Sequence, residues 1–133
     1  MDETLQKKYF EEFPEMLPDN FWFEVNDGWD KLLYKMFKRI QEHSHTVPGG
    51  AAVQMQQIKS KFGQLRVYWS THSEAIPYDA IAEALNDIVH EAELEASKTC
   101  STCGMRDDNK VLIQESAWHD PTCEACADKD PNG

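Results

Sequence analysis

Two Cys-x-x-Cys pairs, Cys100/Cys103 and Cys123/Cys126, contain every cysteine of the chain, with residues 104–122 between them. No other feature constrains the last third of the sequence as strongly. Zn²⁺ takes four ligands tetrahedrally, and thiolates satisfy it well. A Cys-x-x-Cys turn sets two sulfurs on one side of an ion and directs its backbone amides at them. Gly104, directly after Cys103, eases the left-handed bend that such a knuckle requires. Between the pairs, Lys110 to Gln114 (KVLIQ) has the composition of a strand, and Trp118 is placed to cover the site. The pattern predicts a zinc-ribbon-like module around a structural Zn(Cys)4 centre, with iron as the alternative metal.

Disulfides would require an oxidising compartment that nothing else in the sequence points to. A redox Cys-x-x-Cys normally sits alone between a strand and a helix. Hydrolytic zinc keeps one position open for water and uses histidine or carboxylate ligands, whereas four thiolates fill the shell. His119 and Asp120 are the residues beside the second pair that could stand in for a cysteine. An HNH-type nuclease would need several histidines between the pairs, and only His119 is there. No Ser-His-Asp order, Gly-rich phosphate loop or catalytic carboxylate pair is present. No catalytic residue and no organic cofactor site is therefore assigned, and the chain is expected not to be an enzyme.

Charge narrows the partners. The 133 residues carry 24 acidic and 13 basic side chains, a formal net charge of -11. A tetrathiolate zinc centre adds about -2 more. Around the knuckles, Arg106 and Lys110 face Asp107, Asp108, Glu115, Asp120 and Glu124, which argues against direct phosphate binding by this end of the chain. The Met-Asp-Glu-Thr start has neither the basic nor the apolar region of a signal peptide. No stretch approaches the roughly 20 apolar residues of a membrane span. The cytoplasm is the expected compartment, with no membrane contact; oligomeric state is left open.

Upstream, the periodicity alternates between helix and strand. Glu3 to Phe13 reads as a short helix with Leu5, Tyr9 and Phe13 on one face, stopped by Pro14. FWFEV (residues 21–25) reads as a strand. From about Asp27 to His43, Trp29, Leu32, Leu33, Met36, Phe37 and Ile40 follow the helical template, with Asp27 as the N-cap. Lys31, Lys35, Lys38 and Arg39 give this helix a basic outer face. Pro48, Gly49 and Gly50 form a turn. A β-hairpin follows over residues 51–69, in which Ala51, Val53 and Met55, then Leu65, Val67 and Trp69, face inward and Gly63 turns the chain. A second helix runs from about Pro77 to Ser97 with Ile81, Ala84, Leu85, Ile88 and Ala92 inward, Pro77 in its first turn and Lys98 at its end. The fold class is α+β: a small antiparallel sheet packed by two to three helices. Residues 1–99 form the core, 100–126 the zinc module packed on it, and 127–133 a frayed tail.

Two surfaces are candidates for binding. Asp79, Glu83, Asp87, Glu91 and Glu95, with Glu93 beside them, recur along the second long helix. They form either a solvated face, partly neutralised by the basic face of the Asp27 helix, or a surface for a basic protein partner, such as one whose DNA site it imitates. Lys59, Lys61, Arg66 and Tyr68 make a basic-aromatic cluster on the hairpin, the alternative nucleic-acid face. His43, His45, His72 and His90 carry no ligand pattern.

Three segments carry a resemblance: FEVNDGW (23–29), QIKSKFGQLRVYW (57–69), and CSTCG with CEAC at the end. Over roughly residues 21–126 the chain resembles a group of small uncharacterised proteins encoded by bacteriophages and bacterial prophages. In that group a GDGW helix start precedes a V-K-E-K-F-G-G-L-R-F-Y hairpin, a helix, and a C-x-x-C-G and C-[DE]-x-C terminus. Gly28 and Trp29 match the helix start. Lys61, Phe62, Gly63, Leu65 and Arg66 match the hairpin, and the four cysteines match the terminus. Asn26, Gln64 and Val67 depart from the pattern. The resemblance implies context and no activity: a phage or prophage accessory protein working inside a bacterium. The acidic charge and the missing catalytic constellation add the expectation that it binds and modulates a host or phage protein, with counter-defence as one such role.

Overall fold

The computed structural model describes residues 1–46, 53–71, 78–106, 120–123 and 125–126, with backbone alone for 44–46 and 78–81. Helix α1 spans Glu3–Glu12, strand β1 Phe23–Glu24, helix α2 Asp30–Thr46, strands β2 Val53–Lys61 and β3 Gln64–Thr71, and helix α3 Tyr78–Ala96. The expected turn at residues 48–50, Ala51, His72, Pro77, the 110–114 strand, Trp118, His119 and the 127–133 tail lie outside the described residues. So do the side chains of His45, Asp79 and Ile81.

The α+β class is as expected, but the sheet is mixed. Its order is β1-β2-β3; β1 pairs parallel with β2, and only the β2–β3 hairpin is antiparallel. The reason is α2. A helix between β1 and β2 carries the chain back to the starting end of the sheet, and such a crossover leaves its two strands parallel.

The FWFEV run alternates as a strand should, with Phe21, Phe23 and Val25 buried and Trp22 and Glu24 exposed, yet only Phe23–Glu24 pair. Asp27 does not cap α2. Asp27–Trp29 form a single 3-10 turn ahead of it, and the Asp27 carboxylate accepts from the amide of Asp2 at 2.7 Å. All six expected apolar residues are buried, from Trp29 at the end of that turn to Ile40 in α2.

In the hairpin, inward positions run Val53, Met55 and then Ile58, because a bulge between Met55 and Gln57 inserts one residue into β2. The bulge switches the alternation once, so Ile58 enters the core opposite Val67 and Lys59 faces outward opposite Arg66. Phe62 and Gly63 form the turn, both with positive φ (55° and 73°), the pattern that matches the strands' right-handed twist.

One apolar core joins these elements. Tyr9, Phe13, Phe23 and Phe37 meet ring to ring at 4.7 to 6.2 Å, with Met55, Ile58, Leu65 and Val67 beneath and Leu85, Val89 and Ala92 of α3 alongside. On α3 the inward set includes Ala82 and Val89, while Ala84 is only half-buried. The α1 face is likewise rotated: Gln6 is buried and Leu5 half-buried.

Both outer strands have side chains on their exposed backbone. Gln6 Oε1 accepts from the Phe23 amide of β1 at 3.0 Å while its Nε2 donates to Met1 O at 2.7 Å. On β3, the Val67 amide donates to the Glu93 carboxylate at 3.3 Å. One amide on each outer strand that could otherwise pair with another strand is thus satisfied within the chain.

Candidate metal centre

The first knuckle leaves α3 without a break. Thr99 pairs with Arg106 in an antiparallel bridge, the Cys100 amide donates to Met105 O at 2.8 Å, and the Gly104 amide donates to Cys100 O at 2.9 Å. This small loop closes only if its last residue bends left-handed, and Gly104 does so with φ 82°. The Cys103 amide then points at Cys100 Sγ, 3.5 Å away. The second knuckle is held from two sides. The Ser101 amide donates to Pro121 O at 2.8 Å, and Ser60 Oγ of β2 donates to the Asp120 carboxylate. Asp120, considered above as a stand-in ligand, is therefore engaged with the hairpin.

Together the knuckles bring the four Sγ atoms of Cys100, Cys103, Cys123 and Cys126 within 4.8 Å of one another. Among the described residues, this is the one group of cysteine, histidine or carboxylate side chains close enough to share an ion. Cys103 and Cys123 Sγ stand 3.6 Å apart, against about 3.8 Å for the edge of a tetrahedron with Zn–S bonds of about 2.3 Å. The donor set and its spacing fit a tetrahedral metal.

The thiols are not equivalent. Burial opposes ionisation of Cys100, but the amides of Cys103, Cys123 and Thr102 outweigh it and bring the thiol down to about 6. At Cys126, burial and then the sulfurs of Cys123, Cys103 and Cys100 push the thiol up to about 12. For Cys103 the Met105 amide favours the thiolate, yet burial and the Cys123 sulfur together raise it above its ordinary value. One sulfur is charged in advance, and Cys103 and Cys126 resist adding like charge beside it.

The seat of this centre is the Asp27-Gly28-Trp29 turn. The Gly28 amide donates to Ser101 O at 2.8 Å, and Trp29 Nε1, in the core, donates to Thr99 O at 3.1 Å. A Cβ on Gly28 would stand 2.5 Å from Ser101 O and closer still to Cys100 O. From the other side, a Cβ on Gly104 would meet Gly28 O at 3.0 Å. Two glycines let two backbones touch. The sequence reading placed Gly28 and Trp29 at a helix start without seeing their second partner; the available signal was a glycine where a capping side chain would serve the helix better.

The acidic stripe of α3 divides. Glu95 pairs with Lys35 at 2.8 Å and with Arg106 at 2.6 Å, and Glu91 pairs with Arg39. Lys35 to Glu95 and Arg39 to Glu91 step in opposite directions, so α2 and α3 run antiparallel with the basic face of one along part of the acidic face of the other. Glu93 binds β3, as described above. Glu83 and Asp87 remain exposed and make no ion pair among the described residues. Lys59, Lys61, Arg66 and Tyr68 lie together on the outward face of the sheet, away from the cysteines.

A recess of about 280 Å³ lies between the start of α2, the end of α3 and the first knuckle. Its carboxylates are already engaged: Asp27 by the Asp2 amide, Asp30 by Lys8 and Tyr9, and Glu95 by two cations. No described helix is long and apolar enough to cross a membrane. Comparison with protein-family models, with curated proteins and with solved structures finds no match to this chain.

Proposed function

We propose that this chain is a zinc-stabilised, non-enzymatic accessory protein of a phage or prophage that binds and modulates a host or phage protein. The observation that carries this reading is the convergence of four cysteine sulfurs, with no other ligand group beside them among the described residues. Four thiolates complete a tetrahedral zinc shell, so no position is left for water or substrate, and the metal's work is to hold the chain end against α2. The phage context rests on the order of the DGW, hairpin and cysteine motifs. The expected partner surface is the part of α3 that α2 leaves uncovered, with Glu83 and Asp87 outward and Asp79 one turn before them; a basic protein suits it, including one whose DNA site the stripe imitates.

The test has two parts. Elemental analysis of the purified chain should give one zinc per molecule, and a substoichiometric or labile metal would remove the stabilising role. Partners retained from bacterial lysate by the wild type should be lost when Asp79, Glu83, Asp87 and Glu91 are changed to Lys. Identical partner lists would remove the α3 surface.

A further inference from the structure

We propose that the outward face of the sheet, built on Trp22, Lys59, Lys61, Phe62, Arg66 and Tyr68, binds single-stranded nucleic acid. The inference is independent of the α3 reading and stands on the opposite charge.

Trp22, Phe62 and Tyr68, at 53%, 44% and 45% exposure, are all the large aromatic residues that the described chain leaves exposed, and all three lie at this face. Register explains the grouping. Lys59 stands opposite Arg66 and Gln57 opposite Tyr68, while β1 brings Glu24 beside Lys59 with Trp22 two residues earlier on the same side. Lys59 Nζ lies 5.8 Å from the Tyr68 ring centroid and Lys61 Nζ 5.5 Å from that of Phe62, so cations and rings alternate.

The charges here are also available. In a chain of net charge -11, Lys8, Lys35, Lys38, Arg39 and Arg106 are in ion pairs, while Lys7, Lys31 and Lys98, scattered over the helices and the start of the knuckle, share with the sheet face the lack of one among the described residues. Among the described residues, Lys59, Lys61 and Arg66 have no acidic partner; Arg66 donates to Gln64, and the strands' sole acid, Glu24, accepts from Gln57. Phe62 adds a third observation. A bulky residue holds a left-handed φ of 55° at an exposed turn where asparagine would be less strained. An outlier retained in that way points to a use for the ring.

Base rings stack on exposed aromatics while phosphates meet neighbouring cations, and this combination is how sequence-tolerant single-strand binders work. An extended acidic peptide fits less well. Such peptides gain affinity by adding a strand to a sheet edge, and here Gln6 and Glu93 engage backbone groups of the two outer strands. Duplex DNA would bring its charge density against an acidic molecule without offering unstacked bases.

The experiment is fluorescence titration of the full chain, zinc bound, with oligothymidylate or oligouridylate of about ten nucleotides. Binding in the micromolar range with quenching of tryptophan emission is expected at low salt. Three phosphate contacts give a slope of log K against log salt of about -2. Changing Lys59, Lys61 and Arg66 together to Glu should weaken binding at least tenfold. Trp22→Ala and Tyr68→Ala should each weaken it about fivefold or more, and Tyr68→Phe should retain it, all with unchanged zinc content and thermal midpoint. Absence of binding to both oligomers at low salt overturns the proposal. So does binding that duplex DNA or polyglutamate matches and the aromatic substitutions leave untouched, which would mark a surface for acidic proteins. The titration contains no protein partner, so its failure leaves the α3 reading standing, and the reverse.

Discussion

The Gly28 amide donates to the Ser101 carbonyl at 2.8 Å, joining the turn that starts α2 to the loop between two sulfurs of the cysteine cluster. No side chain intervenes, and a Cβ at Gly28 would enter the backbone of Cys100 and Ser101. Gly28→Ala should therefore push the knuckle off its seat. We expect a loss of about 1–3 kcal/mol, as for other overpacked sites, and a drop in melting temperature of roughly 5–10 °C. Zinc affinity should fall about tenfold or more, since the displaced segment carries a ligand. Thermal unfolding and competition with a chelator measure the two effects, and a variant with wild-type values in both would contradict the role given to this contact.

Trp29 makes the adjoining contact through its ring nitrogen. Trp29→Phe keeps most of the apolar volume but leaves Thr99 O, in a buried residue, without its donor. Loss of one partner from a buried pair costs about 1–3 kcal/mol. Denaturant unfolding should show this as a lower midpoint with an unchanged slope. A loss below about 0.5 kcal/mol would mean that Thr99 O finds another donor.

Metal binding should release protons in a number that the thiols dictate. At pH 7, Cys100 is ionised with its thiol near 6, whereas Cys103 and Cys126 stay protonated, Cys126 being held up to about 12. Zinc takes thiolates, so its binding at pH 7 expels at least the protons of those two cysteines. Affinity falls as pH falls, and more steeply below about 6, where Cys100 must also give up a proton. In the metal-free chain, the depressed Cys100 contributes stability that is present above its unfolded value of 9.0 and is lost as pH falls through about 6. Zinc addition in weak buffer with a pH indicator counts the protons directly; release of fewer than two per zinc would contradict this charge assignment.

How much of this was legible in the sequence depended on whether a pattern has a local cause. The α2 stripe from Trp29 to Ile40 was readable because helical period and burial are one statement. The cysteine cluster was readable because metal geometry restricts spacing. Parallel pairing of β1 was not readable from strand composition, being a consequence of where the crossover helix lies. The Met55/Gln57 bulge left only a skipped beat between Met55 and Ile58. Asp27 looked like a cap because local rules favour it, but Asp2, distant in sequence, took its carboxylate. The meeting of Gly28 with Ser101 is the same kind of case: each residue has a local reading, and only the fold supplies the other half.

Gln6 was missed for that reason, and it gives the sharpest pH test. It is 3% exposed, accepts from the Phe23 amide and donates to Met1 O, so it both closes the β1 edge and anchors the start of α1. Gln6→Ala removes both bonds and a buried side chain, and should cost about 2–4 kcal/mol. Gln6→Glu is the informative comparison, being nearly isosteric. When ionised, the introduced carboxyl still accepts from Phe23 but cannot donate to Met1 O, and its charge is buried. Burial raises its folded pKa above the unfolded value of about 4.3. A raised pKa means the contribution is fully present below the unfolded value and is lost as pH rises through the folded one. Relative to wild type, the Gln6→Glu chain should therefore be closest to normal near pH 4 and fall away towards pH 7, by about 1–3 kcal/mol. Paired urea titrations across that range measure the difference. A constant gap would show that the introduced carboxyl stays solvated and that the β1 edge opens to admit water.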